Sequence, residues 1–160
     1  MPEREYLYKG RILNLALQGP YEIVEHADAV AVLAQQEGRV LFVRQYRPAV
    51  GCQTLEIPAG LIDPGETPLA AAQRELAEEA QLAGDLELLA CFYLSPGFCD
   101  EKLYVFRATN LKSTYAQPDA DEELSVEWHD PQEVLEAARE GRVEISASAM
   151  AGILFALQGR

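Results

Sequence analysis

Apolar and polar residues alternate in short runs along much of the chain, a pattern that predicts a series of short strands. The first, Glu5 to Leu17, alternates loosely and is predicted to form a strand or a hairpin with its turn at Lys9-Gly10. Asp28 to Ala34 is nearly all apolar, which is typical of a strand covered on both faces. The other predicted strands are Tyr21 to Glu25, Val40 to Gln45, Leu55 to Pro58, Leu86 to Leu94, Leu103 to Thr109 and Leu124 to His129.

Helical periodicity replaces this alternation at three places. The clearest helix follows Thr67, a good N-cap residue, with Pro68 at the first helical position and helix-forming residues from Leu69 to Ala80. Two more helices are predicted, from Pro131 to Gly141 and from near Ser146 to Leu157. Strands combined with a few helices indicate an α/β sandwich built on a mixed β-sheet.

The composition is that of an ordinary globular domain. The chain has 160 residues, of which 49% are hydrophobic and 24% charged, so it is expected to fold as one domain, residues 1–160. Acidic residues outnumber basic ones by 26 to 13, which sets the formal net charge at −13. Such a surface repels nucleic-acid backbones, so nucleic-acid binding is not expected. An anionic ligand would need a bound cation to mediate its contact.

Apolar runs and cysteine spacing bear on where the protein is expected to work. No apolar run is long enough to span a bilayer, and no signal-peptide stretch follows the charged start, Met1 to Glu5. The three cysteines are odd in number and contain no C-x-x-C pair, so neither a disulfide framework nor a zinc site is indicated. We therefore expect a cytoplasmic protein with no membrane partner.

Acidic residues crowd one flank of the helix predicted from Leu69 to Ala80. At about 100° per residue, Glu75 and Glu79 lie one turn apart with Glu78 nearby, and Arg74 is the only basic residue of this helix. The cluster is either a solvated acidic face or a site for Mg²⁺ or Mn²⁺, which prefer oxygen ligands. The buried stripe of the helix is predicted to consist of Leu69, Ala72, Leu76 and Ala80.

The spacing of these residues is more specific than their charge. From Gly60 the chain runs five residues to Glu66, seven residues to Arg74-Glu75-Leu76, one residue to Glu78-Glu79, and then Ala80-Gln81-Leu82. This segment closely resembles the signature of the Nudix hydrolases, enzymes that cleave nucleoside diphosphates linked to another group. Seven positions match in residue type across 23 residues, so a chance match is improbable.

The resemblance implies a set of metal ligands. Glu75 and Glu79 would be the principal ligands, Glu78 would hold a further ion or its waters, and Ala59 would offer its backbone carbonyl. The metal would be Mg²⁺, with Mn²⁺ or Zn²⁺ as alternatives.

Other positions of the signature have supporting or uncertain roles. By the resemblance, the catalytic residues Arg74 and Glu66 would pair with the acids and fix the joint between loop and helix, although Glu66 would also be favourable simply as an acid near a helix start. The chain departs from the family at Gln81, where a glycine normally provides the left-handed residue that ends the helix. Gln81 either adopts that conformation at a cost of about 1 kcal/mol, or the helix continues towards Gly84.

The flanking segments resemble the ADP-ribose pyrophosphatase branch of this family. In that branch the N-terminal part swaps across a homodimer and lines the partner's adenosine pocket. The fold implied is the Nudix α/β/α sandwich with a mixed β-sheet and an N-terminal β segment of about residues 1–25. The segments that carry the resemblance are Tyr6 to Leu13, Val43 to Pro48, Leu55 to Gly60 and Ser95-Pro96-Gly97 with Asp100-Glu101 after it.

The same resemblance implies residues that bind the substrate. Arg47 would contact a phosphate, because a guanidinium group offers two parallel donors to an anionic oxygen pair. Arg11, Ile12 and Glu22 would lie at the adenine end, while a second group would face the terminal ribose. The full set of substrate-binding residues is Arg47, Glu56, Arg11, Ile12 and Glu22, with Gly97, Phe98 and Glu101 at the ribose.

A base for the attacking water is expected in the acidic loop from Asn110 to Glu123. Enzymes of this branch tend to supply the carboxylate from such a loop, and the alignment of Leu124 and Trp128 with the family pattern favours Glu122. The alternatives are Asp119, Asp121 and Glu123.

The expected reaction is metal-dependent hydrolysis of ADP-ribose to AMP and ribose 5-phosphate. Another nucleoside diphosphate derivative (a nucleotide sugar, NADH or a dinucleoside polyphosphate) is an alternative substrate within the same chemistry. A Nudix fold that senses ADP-ribose without cleaving it is a further alternative, although such proteins usually lose acids that this signature retains. The chain has no G-x-G-x-x-G, P-loop or H-E-x-x-H motif that would indicate a different chemistry.

Overall fold

The computed structural model of the chain describes residues 2–117 and 124–159. Within these residues it contains ten strands and three helices. The strands are β1 (Glu5–Lys9), β2 (Leu13–Gln18), β3 (Tyr21–His26), β4 (Ala29–Gln36), β5 (Arg39–Arg47), β6 (Cys52–Glu56), β7 (Ala59–Leu61), β8 (Leu82–Tyr93), β9 (Lys102–Ser113) and β10 (Leu124–His129). The helices are α1 (Pro68–Ala80), α2 (Pro131–Arg139) and α3 (Ala147–Gln158).

The main sheet has the strand order β10-β5-β4-β9-β8, with β6 paired to β5 and β7 paired to β4. The central strands β4 and β9 are parallel, whereas the other pairs are antiparallel, so the sheet is mixed as predicted. Strand β4 lies at the centre of this sheet, which explains its nearly continuous apolar sequence.

Helices cover both faces of the sheet. On β4, Leu33 packs into the core beneath α2 and α3, while Val32 faces the core beneath α1. Each face of the strand thus contributes alternate side chains to a separate core, as the period of a strand requires. The result is the α/β sandwich that the sequence predicts, with α1 on one side and α2 and α3 on the other.

The first three strands form a separate antiparallel sheet in the order β1-β2-β3. Every residue of β1 is exposed, and only Ala16 is buried in β2. Backbone hydrogen bonds join Val24 of β3 to Phe98 and Asp100, at 2.7 and 3.2 Å. This small sheet is therefore attached to the rest of the chain mainly through its third strand.

Two element predictions are wrong in detail. The loop predicted to begin at Asn110 starts later, because β9 continues to Ser113, opposite Leu82 of β8. The short strand β7 was not predicted, since its three residues form a strand only by pairing with β4. Both errors concern partners that are distant in sequence.

The buried face of α1 also differs from its prediction. Leu69 is 45% exposed, whereas Ala71 and two glutamates of the acidic flank are buried beside Ala72 and Leu76. The hydrophobic stripe is thus shifted towards the acids, which are drawn into the protein rather than left on a solvated face.

Helix α1 ends at Ala80, and Gln81 adopts the left-handed conformation with φ of 55° and ψ of 36°. The alternative of a helix that continues towards Gly84 is therefore wrong, because β8 has already begun at Leu82. None of the helices within residues 2–117 and 124–159 is long and apolar enough to cross a membrane.

Candidate active site

The start of α1 brings its acidic flank against strand β7. Thr67 caps the helix by accepting a hydrogen bond from the Ala70 amide at 3.2 Å, and Pro68 occupies the first turn. The helix begins at this point, and the side that carries Glu75 faces Gly60. The capping signal read from the sequence therefore also determines where the carboxylates lie.

Gly60 makes room for Glu75. A Cβ atom built at Gly60 would lie 1.9 Å from Glu75 Oε1, a distance that real atoms do not reach. Because the missing side chain leaves this space, the Glu75 carboxylate is packed directly on the backbone of β7 while only 8% of the residue is exposed. A buried carboxylate held on a backbone in this way is positioned rather than free to rotate.

Glu79 lies one turn further along and is buried as well. Its Oε2 accepts a hydrogen bond from the Ala59 amide at 3.0 Å. Glu75 and Glu79 therefore approach adjacent residues of β7 from the same helix. Burying two carboxylates so close together is unfavourable unless cations or donors compensate their charge.

Arg74 supplies part of that compensation. Its guanidinium donates to three carboxylates, Glu66 at 2.9 and 3.1 Å, Glu75 at 2.6 Å and Glu78 at 3.1 Å. It also donates to the Leu61 carbonyl at 2.9 Å, so all five of its donor hydrogens have acceptors. We refer to Arg74 with Glu66, Glu75 and Glu78 as the Arg74 network.

The network shifts the titration of its members. The hydrogen bonds that Arg74 donates to Glu66 raise the pKa of Arg74, against the opposing effect of burial. The same contact lowers the pKa of Glu66, whose Oε2 also accepts from the Asp63 amide at 3.1 Å. Glu66 thereby links the loop before α1 to the helix itself.

A second arginine lies on the sheet side of the same region. Arg47 of β5 makes two parallel hydrogen bonds to Glu56 of β6, at 2.7 and 2.9 Å, and Thr54 Oγ1 donates to Glu56 at 2.7 Å. Burial would raise the pKa of Glu56, but these donors outweigh it and lower the pKa. Glu56 thus holds the guanidinium of Arg47, whose side chain remains 45% exposed.

Most of these side chains line one open cleft with a volume of about 940 Å³, although Glu66 and Glu79 are not among its lining residues. Its walls are provided by β7 and α1, by β5 and β6, and by the loop between β1 and β2. The predicted site residues that line it are Arg11, Ile12, Arg47, Glu56, Ala59, Arg74, Glu75, Glu78 and Glu101.

Three of the predicted substrate residues lie elsewhere. Glu22, Gly97 and Phe98 line a smaller cavity of about 420 Å³ with Tyr21 and Tyr93. Arg11 and Glu22, expected together at the adenine end, therefore line different cavities of one chain. The assignment of these residues to an adenine end and a ribose end stays a prediction.

The cleft also contains residues that the sequence analysis missed. His26, at the end of β3, has its Nδ1 3.6 Å from Glu101 Oε2, and burial raises the pKa of Glu101. Ser146, the N-cap of α3, also lines the cleft, together with Ser148. The cap at Ser146 was readable from the sequence, but no local signal indicated that this helix starts at the cleft.

The geometry can now be compared with known proteins. A NUDIX domain is matched over residues 24–149, which is most of the chain. The chain belongs to the Nudix family. The matched region contains the whole main sheet, the acidic flank of α1 and the Arg47–Glu56 pair.

Similar proteins support a Nudix pyrophosphohydrolase. The chain is 37% identical over 135 residues to the ADP-ribose pyrophosphatase of Bacillus subtilis, covering 78% of this chain and 73% of that protein. It is 34% identical over 160 residues to the methanol dehydrogenase activator of Bacillus methanolicus, covering 92% and 86%. A solved structure, that of an ADP compounds hydrolase, matches with a TM-score of 0.78 at 21% identity over 98% of this chain and 90% of that one.

In this Nudix hydrolase the donor chemistry of the site fits a hard divalent cation. Mg²⁺ typically binds through one or two carboxylates and keeps several waters or substrate oxygens. Glu75 and Glu79 are buried and point to the same stretch of β7, which supplies two such carboxylates. No set of three His, Cys, Asp or Glu side chains converges as a ready-made metal site within residues 2–117 and 124–159.

The predicted base lies in a part of the chain that the structure does not describe. Glu122 and its alternatives Asp119, Asp121 and Glu123 fall between the described ranges. Their roles stay predictions, as do those of the other predicted site residues.

Proposed function

We propose that this Nudix pyrophosphohydrolase cleaves the diphosphate of ADP-ribose with water, giving AMP and ribose 5-phosphate in a reaction that depends on a divalent metal ion. The observation that carries the proposal is the burial of Glu75 and Glu79 against β7, where Gly60 leaves room for the Glu75 carboxylate and the Ala59 amide donates to Glu79. Glu75 lines the cleft together with Arg47, and Glu79 lies against the adjacent residue of β7, an arrangement that matches the needs of a diphosphate substrate.

In this proposal Glu75 and Glu79 hold the metal, with Glu78 beside them and the Ala59 carbonyl as a further donor. The metal is Mg²⁺, with Mn²⁺ or Zn²⁺ as alternatives. When bound, a divalent ion neutralises charge on the diphosphate and lowers the pKa of water. The role of Arg74 and Glu66 is to keep the carboxylates in position while the charge of the site changes.

The substrate is expected to lie along the cleft from the acidic helix to the small N-terminal sheet. Arg47 is oriented by Glu56 and keeps an exposed side chain, so it is suited to a phosphate oxygen. Arg11 and Ile12 flank the end of the cleft nearest β3, with Glu101 close by. A carboxyl group such as Glu101 is a suitable acceptor for ribose hydroxyls.

A homodimer is part of the proposal. Glu22, Gly97 and Phe98 line a cavity apart from the cleft, so they would reach the substrate only if a second copy brought them there. Strand β1 exposes Tyr6, Leu7 and Tyr8, which is apolar area that a partner would cover. Sedimentation velocity should then give a mass of twice the 17.7 kDa of the chain. A monomer would exclude Glu22, Gly97 and Phe98 from the substrate site. We further expect the protein to work in the cytoplasm.

The attacking water needs a proton acceptor, and we propose Glu122. A Glu122→Gln variant should lose about 100-fold or more in turnover, the usual contribution of a positioned base, while substrate and metal still bind. Asp119→Asn, Asp121→Asn and Glu123→Gln are the matched controls. If one of these loses turnover instead, the base is reassigned to that residue.

The deciding experiment is a product analysis. The purified protein is incubated with Mg²⁺ and, separately, ADP-ribose, NADH, nucleotide sugars, dinucleoside polyphosphates and nucleoside triphosphates, and the nucleotides are then separated. AMP formed chiefly from ADP-ribose would support the proposal. Faster cleavage of another compound would keep the metal chemistry and reject the substrate.

The remaining outcome is binding without cleavage. Tight binding of ADP-ribose with no product under Mg²⁺, Mn²⁺ or Zn²⁺ would make the protein a sensor and reject the proposed reaction. Glu79→Gln, which removes one charge at nearly constant size, is assayed in parallel and should form little product. Full activity in this variant would refute the assignment of Glu79 to the metal.

A further inference from the structure

Gln81 occupies the position where the family signature has glycine, and it makes an unusual number of contacts there. Its side-chain amide nitrogen, which has two hydrogens to donate, lies within hydrogen-bond distance of three carbonyls, those of Ala77 and Glu78 at 3.1 Å and that of Ala116 at 2.8 Å. Its side-chain oxygen accepts from the Ala116 amide at 3.2 Å, and its backbone carbonyl accepts from the Thr114 amide at 2.9 Å.

These contacts join two parts of the chain that are 35 residues apart in sequence. On one side lies the last turn of α1, whose final carbonyls have no partners within the helix. On the other lies the segment Thr114–Ala116, which follows β9. A glycine would end the helix in the same left-handed conformation but has no side chain with which to bond either side.

The left-handed conformation costs a residue with a Cβ atom about 1 kcal/mol compared with glycine. The side chain of Gln81 offsets this cost because its two amide hydrogens are donated to carbonyls of the last helical turn and of Ala116, and its oxygen accepts from the Ala116 amide. The substitution of glycine by glutamine therefore does not leave a weakened helix end. It adds a bridge at the turn that carries Glu78 and Glu79.

We propose that Gln81 is a positioning residue of the metal site, which holds the turn containing Glu78 and Glu79 in place through Thr114–Ala116. The inference rests on the proposed function, because it concerns the carboxylates that we assign to the metal. Gln81 does not contact these carboxylates; it acts through the backbone from which they extend, as supporting residues of metal sites commonly do.

The test uses Mn²⁺ alone as the probe, with the free ion measured by electron paramagnetic resonance. Gln81→Gly removes the side-chain contacts of the bridge, leaves the backbone bond to the Thr114 amide, and also removes the conformational cost, so its melting temperature should stay close to that of the native chain. Its Mn²⁺ dissociation constant should nevertheless rise about tenfold, the lower end of what losing a supporting residue costs. Gln81→Ala loses the bridge and keeps the cost, so it should show the same rise with a lower melting temperature.

Two further readouts separate positioning from general stability. Hydrogen exchange at the Ala116 amide should accelerate in both variants, because its acceptor is the Gln81 side chain. At saturating Mn²⁺ the KM for the substrate should be unchanged, while the Mn²⁺ concentration for half-maximal activity rises. Gln73→Ala, on the exposed side of α1, is the matched control and should change neither quantity.

The outcomes are distinct. If Gln81→Gly binds Mn²⁺ as tightly as the native chain while Glu79→Gln does not, the inference is wrong and the proposed metal site stands. If Mn²⁺ affinity falls only in Gln81→Ala and in step with its melting temperature, the role is structural and the inference is again wrong. If Glu79→Gln itself binds Mn²⁺ like the native chain, the metal site and the inference both fail.

Discussion

Two arginines in this protein differ in the number of carboxylates they bind: Arg44 binds one and Arg74 binds three. Arg44 of β5 makes a planar pair with Glu127 of β10, at 2.7 and 3.0 Å, and His129 lies 2.7 Å from the same carboxylate. Arg74 instead serves three carboxylates at once. Arg44 ties two neighbouring strands with one positive group for one negative group, whereas the Arg74 network contains two more negative charges than positive ones.

The difference distinguishes an ion pair that stabilises the fold from a network that borders the candidate metal site. A balanced pair has no reason to attract a further ion, and its geometry is complete. An arginine surrounded by excess carboxylates, with Glu79 buried nearby, leaves negative charge that a divalent cation can neutralise. The imbalance, more than the number of acids, distinguishes the candidate site from an acidic surface.

The largest expected effect comes from removing one charge at the site. Glu79→Gln should lower turnover by more than about 100-fold, beyond what is typical when only a supporting residue of a metal site is lost. The fold should be retained, because glutamine has nearly the same size and can still accept from the Ala59 amide. Turnover and far-ultraviolet circular dichroism measured on one preparation test this, and near-native turnover would refute the metal assignment.

A matched pair of lysine substitutions compares the two arginines directly. Arg74→Lys should lower turnover by about 10- to 100-fold, because an ammonium group cannot make five directed hydrogen bonds. Arg44→Lys should reduce the melting temperature slightly and leave turnover unchanged. Steady-state kinetics at saturating metal and thermal melts check both. Equal losses of turnover would mean that the charge balance does not separate the two networks.

The smallest effect concerns pH and the Arg44 pair. The hydrogen bonds from Arg44 lower the pKa of Glu127 from its ordinary 4.5 to about 2, against the opposing effect of burial. A carboxylate whose pKa is lowered in the folded state stabilises it above the ordinary value, and this stabilisation is lost as the pH falls from 4.5 towards 2. Because both side chains are partly solvated, we expect a contribution of about 1 kcal/mol.

Glu127→Gln tests this assignment. At pH 7 its free energy of unfolding, from urea titrations, should be lower than that of the native chain, and the gap should narrow as the pH falls below 4.5. A gap that stays constant down to the acid limit would show that Glu127 contributes through packing and not through its charge.

Much of the fold could be predicted because its signals are local. Thr67 and Pro68 mark the start of α1, and the apolar run of β4 reports burial on both faces. The extension of β9 to Ser113 could not be predicted in the same way, because it depends on pairing with Leu82 of β8. Strand β7 was missed for the same reason.

The candidate site could be predicted from the sequence only in part. The resemblance to the Nudix signature singled out Glu75 and Glu79, whose role at a metal stays a prediction, and wheel geometry placed the buried stripe too far towards Leu69. Arg11 and Glu22 line different cavities. Their separation depends on how the small N-terminal sheet packs against the rest of the chain. No pattern within either segment contains that information.

The contact between Gly60 and Glu75 restricts how this sequence can change. Any side chain at position 60 would need the space that the Glu75 carboxylate occupies. Alanine at position 60 is therefore expected to displace the Glu75 carboxylate. The smallest side chain introduced on the sheet would then act on the acidic flank of the helix, without any change to the helix sequence.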